Sequence, residues 1–148
     1  MFTALAFLKH WRLSVKVGDH ILVYGTLKHG FGASSVMQGR SEFVGEDRVN
    51  GKMYSLGGFP GFKAVAEAGA RFHPEEPTVT GEVYRITDEI LPQMLDNYEG
   101  YPNYYGRSQY RTEEGRTVWV YEYNPEVHDT LLVENGVWEG GHHHYVHA

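Results

Sequence analysis

The sequence predicts an α+β domain built on a curled sheet or small barrel of six or seven short strands, with one clear helix. Three observations lead there. Short runs rich in Val, Ile, Thr, Tyr and Trp recur between clusters of Gly, Pro, Asn and Asp, the pattern of strands separated by turns. Only one segment, Asp88 to Tyr98, carries a clear helical period. The segments do not alternate as βαβα, which argues against a doubly wound sheet.

Taken in order, His20-Ile21-Leu22-Val23-Tyr24 reads as a buried strand that breaks at Gly25. Residues 28–39 hold Gly30, Gly32, Ala33, Ser34 and Ser35, a loop leading into a short helical turn. Ser41 to Val49 predicts a strand with Phe43 and Val44 inward. Asn50-Gly51 then predicts a hairpin, and Lys52 to Leu56 a half-buried return strand. Gly57-Gly58-Phe59-Pro60-Gly61-Phe62 is too rich in Gly and Pro for regular structure and suggests close backbone approach. A short strand is expected at Lys63 to Ala68, a surface loop at 69–78, and a strand at Thr80 to Ile86. In the helix, Leu91, Met94, Leu95 and Tyr98 share one face, Thr87 or Asp88 caps the start, Pro92 fits the first turn, and Gly100 takes the C′ position. Arg107 to Arg111 and Thr117 to Tyr123 predict a final pair of strands, and a further short element is expected near Leu131 to Val137.

The domain is expected to span residues 20–137, between an N-terminal extension of residues 1–19 and a polar, His-rich tail of residues 138–148. A chain of 148 residues that is 41% hydrophobic can build one core, burying roughly 70% of the surface its unfolded chain exposes. Net charge is −6 with no dense Lys/Arg cluster, which argues against duplex nucleic acid as a partner. The absence of cysteine excludes disulfides, thiolate catalysis and cysteine-ligated metals. The apolar stretch Ala4 to Leu8 is too short for a signal-peptide core or a membrane span, so a soluble, cytoplasmic protein without membrane association is expected.

Two short motifs carry the chemistry. Gly25, after the buried strand, is expected to turn the chain with positive φ, leaving the N–H groups of Gly25 to Leu27 to form an anion nest with the Thr26 hydroxyl beside them. An ordinary strand-ending turn is the other reading. Glu99 lies at the edge of the helix's apolar stripe, while Asp96 and Asn97 point elsewhere. It sits in the last turn, where the helix dipole and partial burial both raise a carboxylate's pKa toward a general base. A solvated glutamate at a helix end is the alternative. Tyr101, Tyr104 and Tyr105 either complete a core rim or wall a small pocket and donate hydroxyl hydrogen bonds. No Gly-x-Ser-x-Gly elbow and no phosphate loop occur. His142, His143, His144 and His147 sit after two glycines at the C-terminus, and the other histidines lack ligand spacing, so no functional metal is expected.

Four stretches, in this order, resemble the γ-glutamylcyclotransferase-like superfamily, in the branch of γ-glutamylamine cyclotransferases and the butirosin-pathway enzyme. They are Val23 to Gly30, Gly51 to Pro60, Gly81 to Ile86, and Leu95 to Tyr101 with Tyr105 and Arg107, so the likeness covers about residues 20–124. The resemblance implies a small mixed β-barrel with flanking helices. It implies that Tyr24, Gly25, Thr26 and Leu27 bind a substrate α-carboxylate, that Tyr105 belongs to the same substrate site, and that Glu99 is the catalytic acid/base. The implied reaction releases an amine from a γ-glutamyl amide and forms 5-oxoproline, without metal or organic cofactor. Residues 57–78 and 101–108 are the expected readers of the leaving amine. A binding protein using the same barrel for a nucleotide or other metabolite, or a partner-binding domain, are the alternatives.

Overall fold

The computed structural model describes residues 14–140. Most of the N-terminal extension and of the His-rich tail therefore lies outside the described residues. The strands are β1 (His20–Val23), β2 (Ser41–Ser55), β3 (Pro60–Ala64), β4 (Thr78–Ile86), β5 (Tyr105–Arg111), β6 (Thr117–Tyr123) and β7 (Leu132–Val133). Among the described residues one α-helix, α1 (Leu91–Glu99), follows β4, and single 3₁₀ turns occupy Ser34–Val36 and Asp129–Leu131.

The strands form one sheet in the order β3-β2-β4-β1-β6-β5, with β7 added to β2. All pairings are antiparallel except β1 with β6, where Ile21 lies opposite Trp119. The sheet curls until β3 lies against β6, making a half-closed barrel. Side chains span the approach: the Tyr24 hydroxyl donates to Tyr121 O at 2.8 Å and accepts from the Phe62 N–H at 3.2 Å. The Tyr105 hydroxyl donates to Pro60 O at 2.8 Å.

Strand alternation divides the core in two. Leu22, Tyr24, Val49, Met53, Phe62, Val79, Val83, Val118 and Val120 fill one face, joined by Trp138. Ile21, Val23, Ile86, Trp119 and Tyr121 point the other way and are covered by Leu91 and Leu95 of α1 and by Leu27 and Met37. Leu91 and Leu95 are fully buried, each worth roughly 1.5–3 kcal/mol in removed apolar surface. Asp88 Oδ1 accepts the Ile90 N–H at 2.9 Å just ahead of the helix. Gly100 ends it in the left-handed region (φ 67°, ψ 39°), as the C′ position predicts. Met94 is only partly buried and Tyr98 is 46% exposed, so the apolar stripe weakens toward its C-terminal end.

Four expectations are corrected. Asn50-Gly51 is not a hairpin: β2 runs unbroken through it, pairing first with β4 and then with β3 and β7. The Asn50 side chain is engaged instead with His73, donating to its carbonyl and accepting its N–H, both at 2.8 Å. Phe43 and Val44 are exposed rather than inward. A bulge between Phe43 and Gly45 inserts a residue and reverses the inward parity of the preceding segment, placing Phe43 edge-on to Tyr84. The strand expected at Lys63–Ala68 begins earlier, at Pro60. An edge strand tolerates Pro at its first residue, where no ladder donor is needed. Trp138, assigned to the tail by sequence, is only 2% exposed and lies in the core.

Candidate active site

The end of the barrel formed by the C-termini of β1 and β6 and the N-terminus of β5 opens into a cavity of about 660 Å³. It is lined by Tyr24, Gly25, Thr26 and Leu27, by Gly58, Phe59 and Pro60, and by Asn97, Tyr98, Glu99 and Gly100. Tyr104, Tyr105, Tyr121 and Tyr123 complete the wall. All six residues that the sequence singled out for the site thus meet in one cavity, although Leu27 and Glu99 are 72 positions apart in the chain.

Glu99 is the last residue of α1 and is partly buried. Burial pushes its carboxyl up to about 7, with no charge or hydrogen bond from a described neighbour pulling it back. Glu99 also holds the phenols of Tyr24 and Tyr105 in their neutral form, reinforcing the larger effect of their burial. The loop opposite supplies donors. Among the described residues, the backbone N–H groups of Gly25, Thr26 and Leu27 have no acceptor. The Gly25 and Thr26 carbonyls are used, accepting from Lys28 N at 3.0 Å and Ala33 N at 3.1 Å. Three consecutive unpaired N–H groups beside a cavity suit an anion.

The expectation of positive φ at Gly25 is corrected. Gly25 is absent from the glycines with positive φ, and its small size serves another purpose. A Cβ there would lie 2.6 Å from Pro60 Cγ, so the loop and β3 can touch only through a glycine.

Behind Glu99 is a polar clamp. Asp96 is not part of the cavity lining: its carboxylate accepts from Arg107 Nε at 3.0 Å and from the Tyr121 hydroxyl at 2.6 Å. The Arg107 guanidinium also stacks on Tyr101, 4.1 Å from the ring centre. This fastens the final turn of α1 to β5 and β6. The tyrosine cluster therefore divides. Tyr105 lines the cavity, but its hydroxyl is spent on Pro60; Tyr104 lines it and is 65% exposed; Tyr101 covers Arg107 instead.

The residues the sequence did not single out include Phe59, Pro60, Tyr121 and Tyr123, and Asn97, expected to point elsewhere, instead lines the cavity beside Glu99. The alternation of Trp119, Tyr121 and Tyr123 on β6 was the visible signal for the two tyrosines. Of the segments expected to read the leaving amine, residues 58–60 and 104–105 reach the cavity. The loop after β3 does not: Gly69 N donates to Gln109 O, and Arg71, Phe72 and Pro74 line a separate groove with Arg111 to Gly115. Among the described residues no group of three His, Cys, Asp or Glu side chains is placed to hold a metal, and no helix is long and apolar enough to cross a membrane.

A curled mixed sheet that gathers a donor loop and one protonatable carboxylate into a single cavity defines a pocket domain. Comparison with known proteins agrees with the sequence resemblance. The family described as gamma-glutamyl cyclotransferase, AIG2-like, matches residues 21–140, and the chain belongs to that family. The Escherichia coli K12 gamma-glutamylcyclotransferase family protein YtfP is 36% identical over 119 residues, covering 80% of this chain and 94% of that protein. An AIG2-like protein of Mus musculus superposes with a TM-score of 0.61 at 23% identity, covering 82% of this chain and 88% of the other. A Pyrococcus horikoshii protein superposes with a TM-score of 0.63 at 19% identity, covering 87% and 94%. These two likenesses show the shared fold.

Proposed function

We propose that the protein is a cyclotransferase that converts a γ-glutamyl amide into 5-oxoproline and a free amine. The observation that carries this reading is the pairing of a carboxyl shifted to about 7 by burial with an unpaired N–H loop in the same cavity. Family membership supports the same class of activity. In this mechanism the N–H groups of Gly25, Thr26 and Leu27 hold the α-carboxylate and so fix the glutamyl chain in its folded conformer. Glu99 takes a proton from the α-ammonium, the freed amine attacks the γ-carbonyl, and Glu99 delivers the proton to the departing nitrogen.

The ring C–N bond forms as the amide C–N bond breaks, and no water is consumed. Two protons leave the attacking nitrogen in all, and the released amine carries them as an ammonium ion. Nucleophile and electrophile belong to one molecule, so orienting them can supply on the order of 7–11 kcal/mol. Neither a covalent enzyme intermediate nor a metal or organic cofactor is needed. The partner is a small γ-glutamyl compound, and the cytoplasm is the proposed setting.

The test is incubation with a panel of γ-glutamyl compounds, with 5-oxoproline detected by mass spectrometry. The panel comprises glutathione, γ-glutamyl amino acids, ε-(γ-glutamyl)-lysine and small γ-glutamyl amines. Formation of 5-oxoproline from at least one, abolished in Glu99→Gln, is the expected result. No product from any member would replace this reading with that of a binding protein.

A further inference from the structure

Thr26 and Tyr98 belong to two separate elements that line the cavity, and their side-chain oxygens lie 2.6 Å apart. Thr26 is the middle residue of the loop with unpaired N–H groups, and Tyr98 immediately precedes Glu99 on the last turn of α1. Core packing does not account for the pair. Leu91 and Leu95 anchor the helix, whereas Tyr98 remains 46% exposed. Leu27 already joins Leu91 and Leu95 in the core, and the hydroxyl contact adds a polar tie between the same two elements at the cavity.

The contact has a directional consequence. A hydroxyl offers one proton and two lone pairs, and a phenol is a stronger hydrogen-bond donor than an alkyl alcohol. Tyr98 is therefore the natural donor and Thr26 Oγ1 the acceptor. The Thr26 proton is then left without an acceptor among the described residues, next to three N–H groups in the same condition.

Building on the cyclotransferase reading, we propose that Tyr98 is a positioning residue that acts through Thr26. By donating to Thr26 Oγ1, it keeps the threonine proton available as a fourth donor to the substrate α-carboxylate. It also ties the carboxylate-binding loop to the helix turn that carries Glu99.

Tyr98→Phe removes only the hydroxyl, and its test is a separation of KM from kcat. With any γ-glutamyl compound that the wild type turns over, KM should rise roughly tenfold, the effect of losing one hydrogen bond to a charged group. kcat should change by less than about threefold, because the proton-transfer group is intact. Thr26→Val should give the same rise, Thr26→Ser should restore the wild-type KM, and the Tyr98→Phe/Thr26→Val double variant should be no worse than Thr26→Val alone. Affinity for 5-oxoproline, measured by calorimetry, should fall by the same factor in Tyr98→Phe.

Unchanged KM and affinity in Tyr98→Phe would overturn the proposal, as would losses that multiply in the double variant or a Thr26→Ser protein that behaves like Thr26→Val. A wild type that binds 5-oxoproline but forms none from any substrate would refute the cyclotransferase reading, and the calorimetric comparison would still decide the role of Tyr98. A wild type that neither binds nor reacts would overturn both.

Discussion

Glu99 combines two properties that usually exclude each other: it is accessible to a cavity and yet desolvated enough to hold a proton near neutrality. A base with that affinity can both accept and return a proton at physiological pH. Glu99→Gln preserves shape but cannot take a proton, so kcat should fall at least roughly 10²-fold with little change in substrate affinity. In the wild type kcat/KM should drop as pH falls through about 7, since the proposed mechanism needs the ionised carboxylate. A steady-state pH profile checks this, and a limb near 4.5 would remove Glu99 from the role. The same shift bears on stability. Folded Glu99 binds its proton up to about pH 7, whereas an unfolded glutamate releases it near 4.5, so between those values the folded state holds more protons and loses stability as pH rises. The loss should total at most about 3 kcal/mol. Glu99→Gln should therefore melt above wild type at pH 8, and the difference should vanish below pH 4.5, as thermal melts at both values would show.

At the level of elements, α1 is useful because its end is fixed. Arg107, with its side chain 9% exposed, is paired with Asp96, which also receives the Tyr121 hydroxyl. Arg107→Met keeps much of the stem but strands the Asp96 carboxylate. Breaking a fully buried pair costs about 3–5 kcal/mol, and with Asp96 24% exposed the loss should be about 2–3 kcal/mol. Denaturant melts measure it, and Asp96→Asn in the same background should recover part of the loss. The helix was legible in sequence because Leu91 and Leu95 repeat at its period and Gly100 punctuates it. Strand β2 was not. Asn-Gly is a strong local turn signal, but here long-range pairing with β3 and β4, together with the bond from Asn50 to His73, outweighs it. The bulge at Phe43–Gly45 was equally hidden, since inward parity is set by the partner strand and not by β2's own residues.

At the scale of the whole molecule, the six candidate site residues could be named from short motifs because strand end, glycine and helix end are each written locally. The aromatic walls and the Asp96–Arg107 clamp depend on strands that meet only in three dimensions, and no local pattern announces them. Trp138 is the last buried side chain among the described residues, so ending the chain after Gly140 should leave the melting temperature and activity unchanged and chelator-insensitive. Ending it after Gly136 should unfold the protein by removing Trp138, a difference visible in circular dichroism. The sheet order has a further consequence. The loop of residues 65–77 is largely exposed, and it separates the chain into two pieces whose strands interleave: β1 sits between β4 and β6, and β2 between β3 and β4. A cut between Glu75 and Glu76 would put Tyr24 to Leu27 on one fragment and Glu99, Tyr105 and Tyr121 on the other. Neither fragment would hold a complete set of reacting groups. Mixed together, they should recover turnover with second-order kinetics, so that catalysis reports the meeting of two polypeptides, and fusing each fragment to one member of a binding pair would make 5-oxoproline release a gauge of that pair's association.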